Sequence, residues 1–341
     1  MPLKKRSLLL LLPISICISL LLVGPTIAHG PHIITVRSPT FSPDTLDWDP
    51  SSQHFVVASS RHPSLHSVSD AGVLQTLISD PHLPPNSSVL AVSVDSLRGR
   101  LLGVIHTPHP SLAAYDLSRP PLHPRLFLSP LPSLPTAVAV DSLGNACVAG
   151  RDFISKIDVD GQDSIFSNSS AVGPHPINGI AYFRMGYFLA VQSGTGRMYK
   201  IDGEDGAARQ VLLPKDLTGA IGIAIRGDGT AVVVGQHKAW FLKSDDGWAE
   251  AGIYDEIALD ERKAAKGVAV RGGKRVYVLF RDLEEGSLGN EEFRIEEVES
   301  DREKEGENVW MLVLIGFGLV YFLYWRFQMG KLVREMNKKR E

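Results

Sequence analysis

Six short apolar strands recur along this chain at nearly constant spacing, and that recurrence restricts the fold more than any single motif. They end at Trp48-Asp49, Val94-Asp95, Val140-Asp141, Tyr182-Phe183, Ile225-Arg226 and Val270-Arg271, at intervals of 46, 46, 42, 43 and 45 residues. Periods of this size mark propeller blades or solenoid units. The third unit shows the pattern most plainly: Ala137-Val138-Ala139-Val140, a turn at Asp141-Ser142-Leu143-Gly144-Asn145, then Ala146-Cys147-Val148-Ala149, then Ile154-Ser155-Lys156-Ile157 before Asp160-Gly161. Short strands between Gly and Asp turns, with nothing helical between them, form an all-β signature. A four-stranded blade buries both faces only against its neighbours, so six units predict a six-bladed β-propeller over residues 31–300. His32-Ile33-Ile34-Thr35-Val36 precedes the first unit and alternates well enough to complete the last blade as its outer strand. The rival architecture, a pair of β-sandwiches, offers no reason for a fixed period.

Both chain ends carry membrane signals. A basic start, Met1 to Arg6, an apolar run from Ser7 to Gly24 and the small residues near Ala28 read as a signal peptide over residues 1–28, with an uncleaved anchor as the alternative. Residues 309–325 form an uncharged run with Trp310 and Tyr324-Trp325 at its edges, which predicts one membrane-spanning helix. Asp282 to Asn308 holds twelve acidic and three basic residues, whereas 326–341 holds six basic and two acidic, so the basic tail is expected in the cytoplasm and the propeller in the lumen or outside. Residues 301–308 read as an acidic stalk. Asn86 and Asn168 begin glycosylation sequons that fit this topology. The ending Lys338-Lys339-Arg340-Glu341 is similar to a dilysine retrieval signal, which points to the endoplasmic reticulum, with the plasma membrane as the alternative; a basic stop-transfer patch is the competing reading. With the leader removed Cys147 is the one cysteine left, so no internal disulfide is expected.

The repeats resemble the senescence-marker-protein/gluconolactonase propellers, with the plant strictosidine-synthase-like proteins as cousins. The resemblance covers roughly Pro43 to Asp246 and rests on Asp44-Thr45-Leu46-Asp47-Trp48-Asp49, Pro135-Thr136-Ala137-Val138-Ala139-Val140-Asp141, Pro176-Ile177-Asn178-Gly179-Ile180-Ala181-Tyr182 and Ser193-Gly194-Thr195-Gly196-Arg197-Met198-Tyr199. It implies a divalent cation, calcium or zinc, held where the innermost strands begin, by Glu, Asn, Asn and Asp from blades one, three, four and five. Counting five residues back from each strand end gives Asp44, Leu90, Thr136, Asn178, Ile221 and Lys266. The metal positions are then Asp44, Thr136, Asn178 and Ile221, and the departures matter. Calcium takes six to eight oxygen ligands, and Ile221 supplies none. The resemblance also implies that the carboxylate missing at Ile221 is the general base. Lys266 adds a cation able to pair with Asp44 at that level. The expectation is a degraded metal site without a bound cation, unless Asp216 or Asp228 points inward instead.

A second pattern is independent of the resemblance. Nine to twelve residues after each strand end stand Arg61, His106, Arg151, Gln192, His237 and Arg281, five of them basic or imidazole. Such a ring focuses positive potential on the channel mouth and, with Lys266, suits an anionic small molecule or an acidic lumenal partner. Solvated strand-end loops are the plainer explanation. Asp158, Asp160 and Asp163 read as turn residues, and His175 as a loop histidine three positions before Asn178. A net charge of -3 and the lumenal address disfavour nucleic-acid binding. Two functions remain: a membrane-tethered ligand-binding or scaffold propeller, and a metal-dependent lactonase or esterase.

Overall fold

The computed structural model describes residues 30–38, 41–84, 86–151, 153–168, 172–173, 175–282 and 292–338. It divides into a compact unit over Pro31–Asp301 and a second unit containing the chain from Arg302 onward. The expected leader (1–28) and the last three residues of the dilysine-like end lie outside the described residues.

The first unit is a six-bladed β-propeller. β1 (Ile33–Arg37) comes first among the described strands. Blade one follows with β2 (Pro43–Asp49), β3 (His54–Ser59), β4 (Ser64–Val68) and β5 (Leu74–Ser79), and blade two with β6 (Ser88–Asp95), β7 (Arg100–His106), β8 (Ser111–Asp116) and β9 (Arg125–Pro130). Blade three holds β10 (Pro135–Val140), β11 (Ala146–Gly150), β12 (Phe153–Ile157) and β13 (Asp163–Asn168), and blade four β14 (Ile177–Phe183), β15 (Tyr187–Gln192), β16 (Met198–Asp202) and β17 (Ala208–Val211). Blade five holds β18 (Ala220–Ile225), β19 (Ala231–Gly235), β20 (Lys238–Lys243) and β21 (Gly252–Ala258); blade six β22 (Lys263–Arg271), β23 (Arg275–Asp282) and β24 (Glu292–Val298). Each blade is an antiparallel meander, and the sixth takes β1 as its fourth strand, Ile34 opposite Ile295. The strand expected to close the ring therefore does so.

Six buried apolar clusters hold the ring together, one between each pair of neighbouring blades. Leu46 and Trp48 face blade six, packing with Phe55, Tyr277 and Phe293, because a blade has no solvated face to spend on polar residues. Near the axis the blades approach so closely that side chains barely fit. A Cβ on Gly179 would lie 2.8 Å from the Cα of Gly222 in the next blade, which explains glycine after Asn178.

Every innermost strand carries a bulge near its start. The pairing with the second strand skips one residue in each blade, and the skipped residues are Asp44, Leu90, Thr136, Asn178, Ile221 and Lys266. These are the six positions obtained by spacing alone. A bulge re-aims its extra residue and increases the local twist.

The chain continues into α1 (Asp301–Lys338), whose segment Val313–Lys338 is long and apolar enough to cross a membrane and is unburied. The helix is longer than the span expected over 309–325, taking in the acidic stalk and most of the basic tail. Those flanks are rich in Glu, Lys and Arg, all good helix formers, so charge marks the limits of the span and not those of the helix.

Candidate functional site

The inner strands enclose a channel of about 930 Å³, lined by all six bulged residues. At this level the ring presents one carboxylate, one ammonium, one amide, one hydroxyl and two hydrocarbons. The polar members are already engaged. Lys266 Nζ lies 3.5 Å from Asp44 Oδ1. Asn178 Oδ1 accepts the amide of Ser193 at 2.9 Å, and Thr136 Oγ1 reaches the carbonyls of Ala149, at 3.1 Å, and Ile177. Asn178 thus serves first to brace the strand-end turn that follows β15.

These residues do not fit a divalent cation of the kind the resemblance implies. Two of the four positions supply oxygen ligands of the expected type, Asp44 and Asn178, and both already bond to the protein. No group of three or more His, Cys, Asp or Glu able to hold a metal occurs among the described residues. Asp216 and Asp228 are exposed and neither borders the channel; Asp228 pairs with Arg226 at 3.2 Å, at the opposite end of blade five.

Three residues further along β2, Asp47 also borders the channel. It accepts the amides of Trp48 and, across the blade boundary, Val94, each at 2.8 Å. Enclosure between blades nevertheless outweighs both bonds and pushes its carboxyl up to about 6 from 3.8. Sequence reasoning passed over this group. The signal was present: in β2 Leu46 and Trp48 occupy one face, so Asp47 stands on the other, which in a blade should also be apolar.

The second ring lies at the mouth where the inner strands begin. Register places it there, since His106 pairs with Ser88, Gln192 with Ile177 and Arg281 with Ala264. Arg61, His106, Arg151 and His237 are exposed, and His237 also lines the channel. Arg281 is half-buried and donates to Ser42 Oγ at 3.3 Å. Gln192 differs in kind: fully buried, its amide nitrogen donates to the carbonyls of Val172 and His175 and its oxygen accepts Thr195 Oγ1 at 2.8 Å. It is a structural tie that holds the His175 backbone, while the His175 ring does not line the channel. Lys263 lines the same mouth but is bonded to Glu296 at 2.6 Å.

Two of the remaining candidates are structural. Asp158 Oδ1 accepts the amides of Asp160 and Gln162, as a turn residue does. Cys147 is fully buried and burial pushes its thiol far up, so it is inert. Asn86 is exposed in the turn before β6, and Asn168 closes β13.

One pH effect follows from two groups of opposite sign. Asp47 holds its proton more tightly folded than unfolded, so its contribution to stability falls as pH rises from about 4 to about 6. His66, in β4, has its pKa lowered from 6.5 to about 4 by burial and by the charge of His62, and its Nδ1 is buried without a partner. Its contribution rises over nearly the same interval. The two offset each other in the intact protein. Asp47→Asn should therefore steepen the loss of thermal stability between pH 6.5 and pH 4, and His66→Leu should flatten it. Equal slopes in calorimetric melts of the three proteins would contradict both assignments.

Fold and site together define a six-bladed β-propeller with a charged central channel and a C-terminal helix able to cross a membrane. No family model matches the sequence, and no curated protein matches it. Solved structures do. The major allergen Mala s 1 of Malassezia sympodialis superposes with a TM-score of 0.65 at 16% identity, over 79% of this chain and 96% of that one. A streptogramin B lyase gives 0.56 at 14% identity, over 76% and 87%. The PQQ-bound aldose sugar dehydrogenase of Streptomyces coelicolor gives 0.52 at 14% identity, over 79% and 99%. At such identities the likeness is one of fold.

Proposed function

We propose that this chain is a membrane-anchored binding or scaffold propeller of the gluconolactonase-like kind, without resident metal chemistry. Its channel mouth receives a small carboxylate or phosphate, or an acidic segment of a lumenal partner. The reading places the propeller in the lumen of the secretory pathway, in the endoplasmic reticulum, with Asn86 and Asn168 glycosylated.

One observation carries it: the Lys266–Asp44 contact stands at the level where the resemblance would place a metal. Both side chains are about one-third exposed, so the pair is weak and an incoming anion can compete for the ammonium. Lys266 and His237 both line the channel and would meet that anion first. The alternative, a divalent-metal-dependent lactonase or esterase, draws on Asp47, a channel carboxyl placed near neutrality as a general base requires.

Calorimetry on the detergent-solubilised full chain separates the two. Calcium, zinc and manganese are expected not to bind, whereas inorganic phosphate or gluconate should bind in a salt-sensitive manner. Lys266→Ala should weaken that binding about 10- to 100-fold, corresponding to one charge-assisted hydrogen bond of about 1.5–3 kcal/mol. Micromolar metal binding abolished by Asn178→Ala would overturn the proposal and justify a lactone screen.

A further inference from the structure

The turns joining first to second strands lie on the face opposite the mouth, and turn tips favour Gly, Asn, Asp and Ser. In three successive blades they carry Leu97, Leu143 and Met185 at corresponding positions, 79%, 69% and 76% exposed. The corresponding residues of the other three blades are Ser51, Asp228 and Gly273. The turns between third and fourth strands share this face, and there blades two and three add Leu122 and Val159, 86% and 41% exposed, while Val73 in the same turn of blade one is 50% exposed. Leu134, just before β10, is the exposed large hydrophobic of the mouth face among the described residues, whereas Leu212 bonds Ala249 and Ala251 in the outer turn of blade five.

The five side chains of blades two to four stand on braced turns. Arg98 donates to the carbonyl of Ser142 at 3.2 Å, and Arg100 donates to those of Gly144 and Val159 at 2.8 and 3.2 Å. Leu117 N bonds Gly99 O at 2.8 Å, and Ser142 Oγ meets Tyr182 OH at 3.0 Å, joining blades two, three and four. Arg119, paired at 3.1 Å with Asp116 but still largely exposed, and Arg184 stand on the same face. Large apolar side chains held out at one rim, with guanidinium groups beside them, mark an interaction surface.

Chain direction identifies what meets it. β24 runs away from the mouth and ends at Val298 opposite Val276, and β1 starts at that end, Ile33 opposite Glu296. Both ends of the propeller chain therefore leave by the face that carries Leu97, Leu143 and Met185. The ten residues from Glu299 to Asn308 then lead to the apolar run. They reach about 15 Å as helix and at most about 35 Å extended.

We infer, resting on the membrane-anchored reading above, that the propeller docks face-down on the lipid surface. Leu97, Leu122, Leu143, Val159 and Met185 enter the headgroup boundary, and Arg119 and Arg184 meet lipid phosphate. The tether leaves from blade six and most of the apolar turn residues belong to blades two to four, so the face is held on both sides of the ring and the mouth opens away from the bilayer. Asp245 and Asp246 in the outer turn of blade five keep the lipid contact to the other side of the ring, and Glu204 and Asp205, whose turn bonds that of Met185 through Gly203 N and Gly186 O, mark its edge in blade four.

The test uses the full chain in phosphatidylcholine vesicles, in a Cys17→Ser background, with the buried Cys147 left in place. An environment-sensitive fluorophore is attached at Leu143→Cys, at Leu134→Cys on the mouth face, or at Tyr321→Cys in α1, and quenching by nitroxide-bearing lipid is read. Quenching is expected at positions 143 and 321 and not at 134, and adding Leu97→Asp with Met185→Asp should abolish it at 143 alone. If 321 is quenched while 143 behaves like 134, anchoring stands and docking is overturned. If 321 is not quenched, both fall. A label at 143 shielded from aqueous iodide but untouched by lipid nitroxide means that a protein, a second copy included, covers this face, and it overturns the lipid assignment. So does quenching at 143 that survives the double aspartate variant.

Discussion

Arg100→Met should cost the propeller about 3–5 kcal/mol, the usual consequence of removing one partner from a buried ion pair. The Arg100 side chain is 7% exposed and that of Asp95 3%, with Nη2 to Oδ2 at 2.7 Å. The same guanidinium donates to two carbonyls of blade three, so one side chain neutralises a carboxylate in its own blade and ties down two turns of the next. Methionine keeps most of the volume and supplies none of the donors. For a domain of this size the loss corresponds to a fall in Tm on the order of 10 °C. Asp95→Asn combined with Arg100→Met should recover part of it, because the buried carboxylate, otherwise left with the partly exposed Arg98 at 3.5 Å, is then removed. A single-variant cost below about 1 kcal/mol in urea unfolding would mean that the strut is ornamental.

Ring closure gives the second large effect. Ile34 is 1% exposed and packs in the cluster of Phe41, Tyr277, Phe293 and Ile295, whereas its neighbour Ile33 is 48% exposed. Ile34→Asp places an unpaired carboxylate in that cluster and is expected to cost more than about 4 kcal/mol. Hydrogen exchange should then show loss of protection in β24, the strand that β1 covers. Ile33→Asp, one residue away, should stay within about 0.5 kcal/mol of the parent, since alternate residues of a strand face opposite ways. Equal damage from both would show that β1 is paired in another register.

The fold was legible because a propeller repeats one problem six times. The strand ends Asp49, Asp95 and Asp141 fix where each unit turns, and five residues back from such an end lands on the bulge in every blade. Side-chain partnership was less legible. Spacing places Gln192 in a ring of cationic and imidazole side chains, yet it is a buried amide tying two loop carbonyls, because a position in a repeat fixes the backbone and not what the side chain bonds. Asp47 escaped for a related reason. It lies within the inner strand, where the expectation of chemistry was confined to the strand's first residues, and its carboxyl is raised by burial that outweighs the opposing bond from Val94, 47 residues away in sequence. Leu97, Leu143 and Met185 likewise read as isolated turn residues until the ring sets them side by side.

Using β1 to complete blade six also sets an order of events during synthesis. Ile33 pairs with Glu296, so the first strand of the propeller meets its partner only after some 263 further residues have been added. At about 5–20 residues per second, that strand waits roughly 13–50 s with an open edge. Five blades can form in sequence as they emerge, but the sixth is finished only when the segment leading into α1 is already being made. Closure of the ring and synthesis of α1 are therefore nearly simultaneous. A polypeptide that stalls before Glu292 would offer two unsatisfied edges, one at each end of the incomplete ring, for aggregation or for capture by a folding factor.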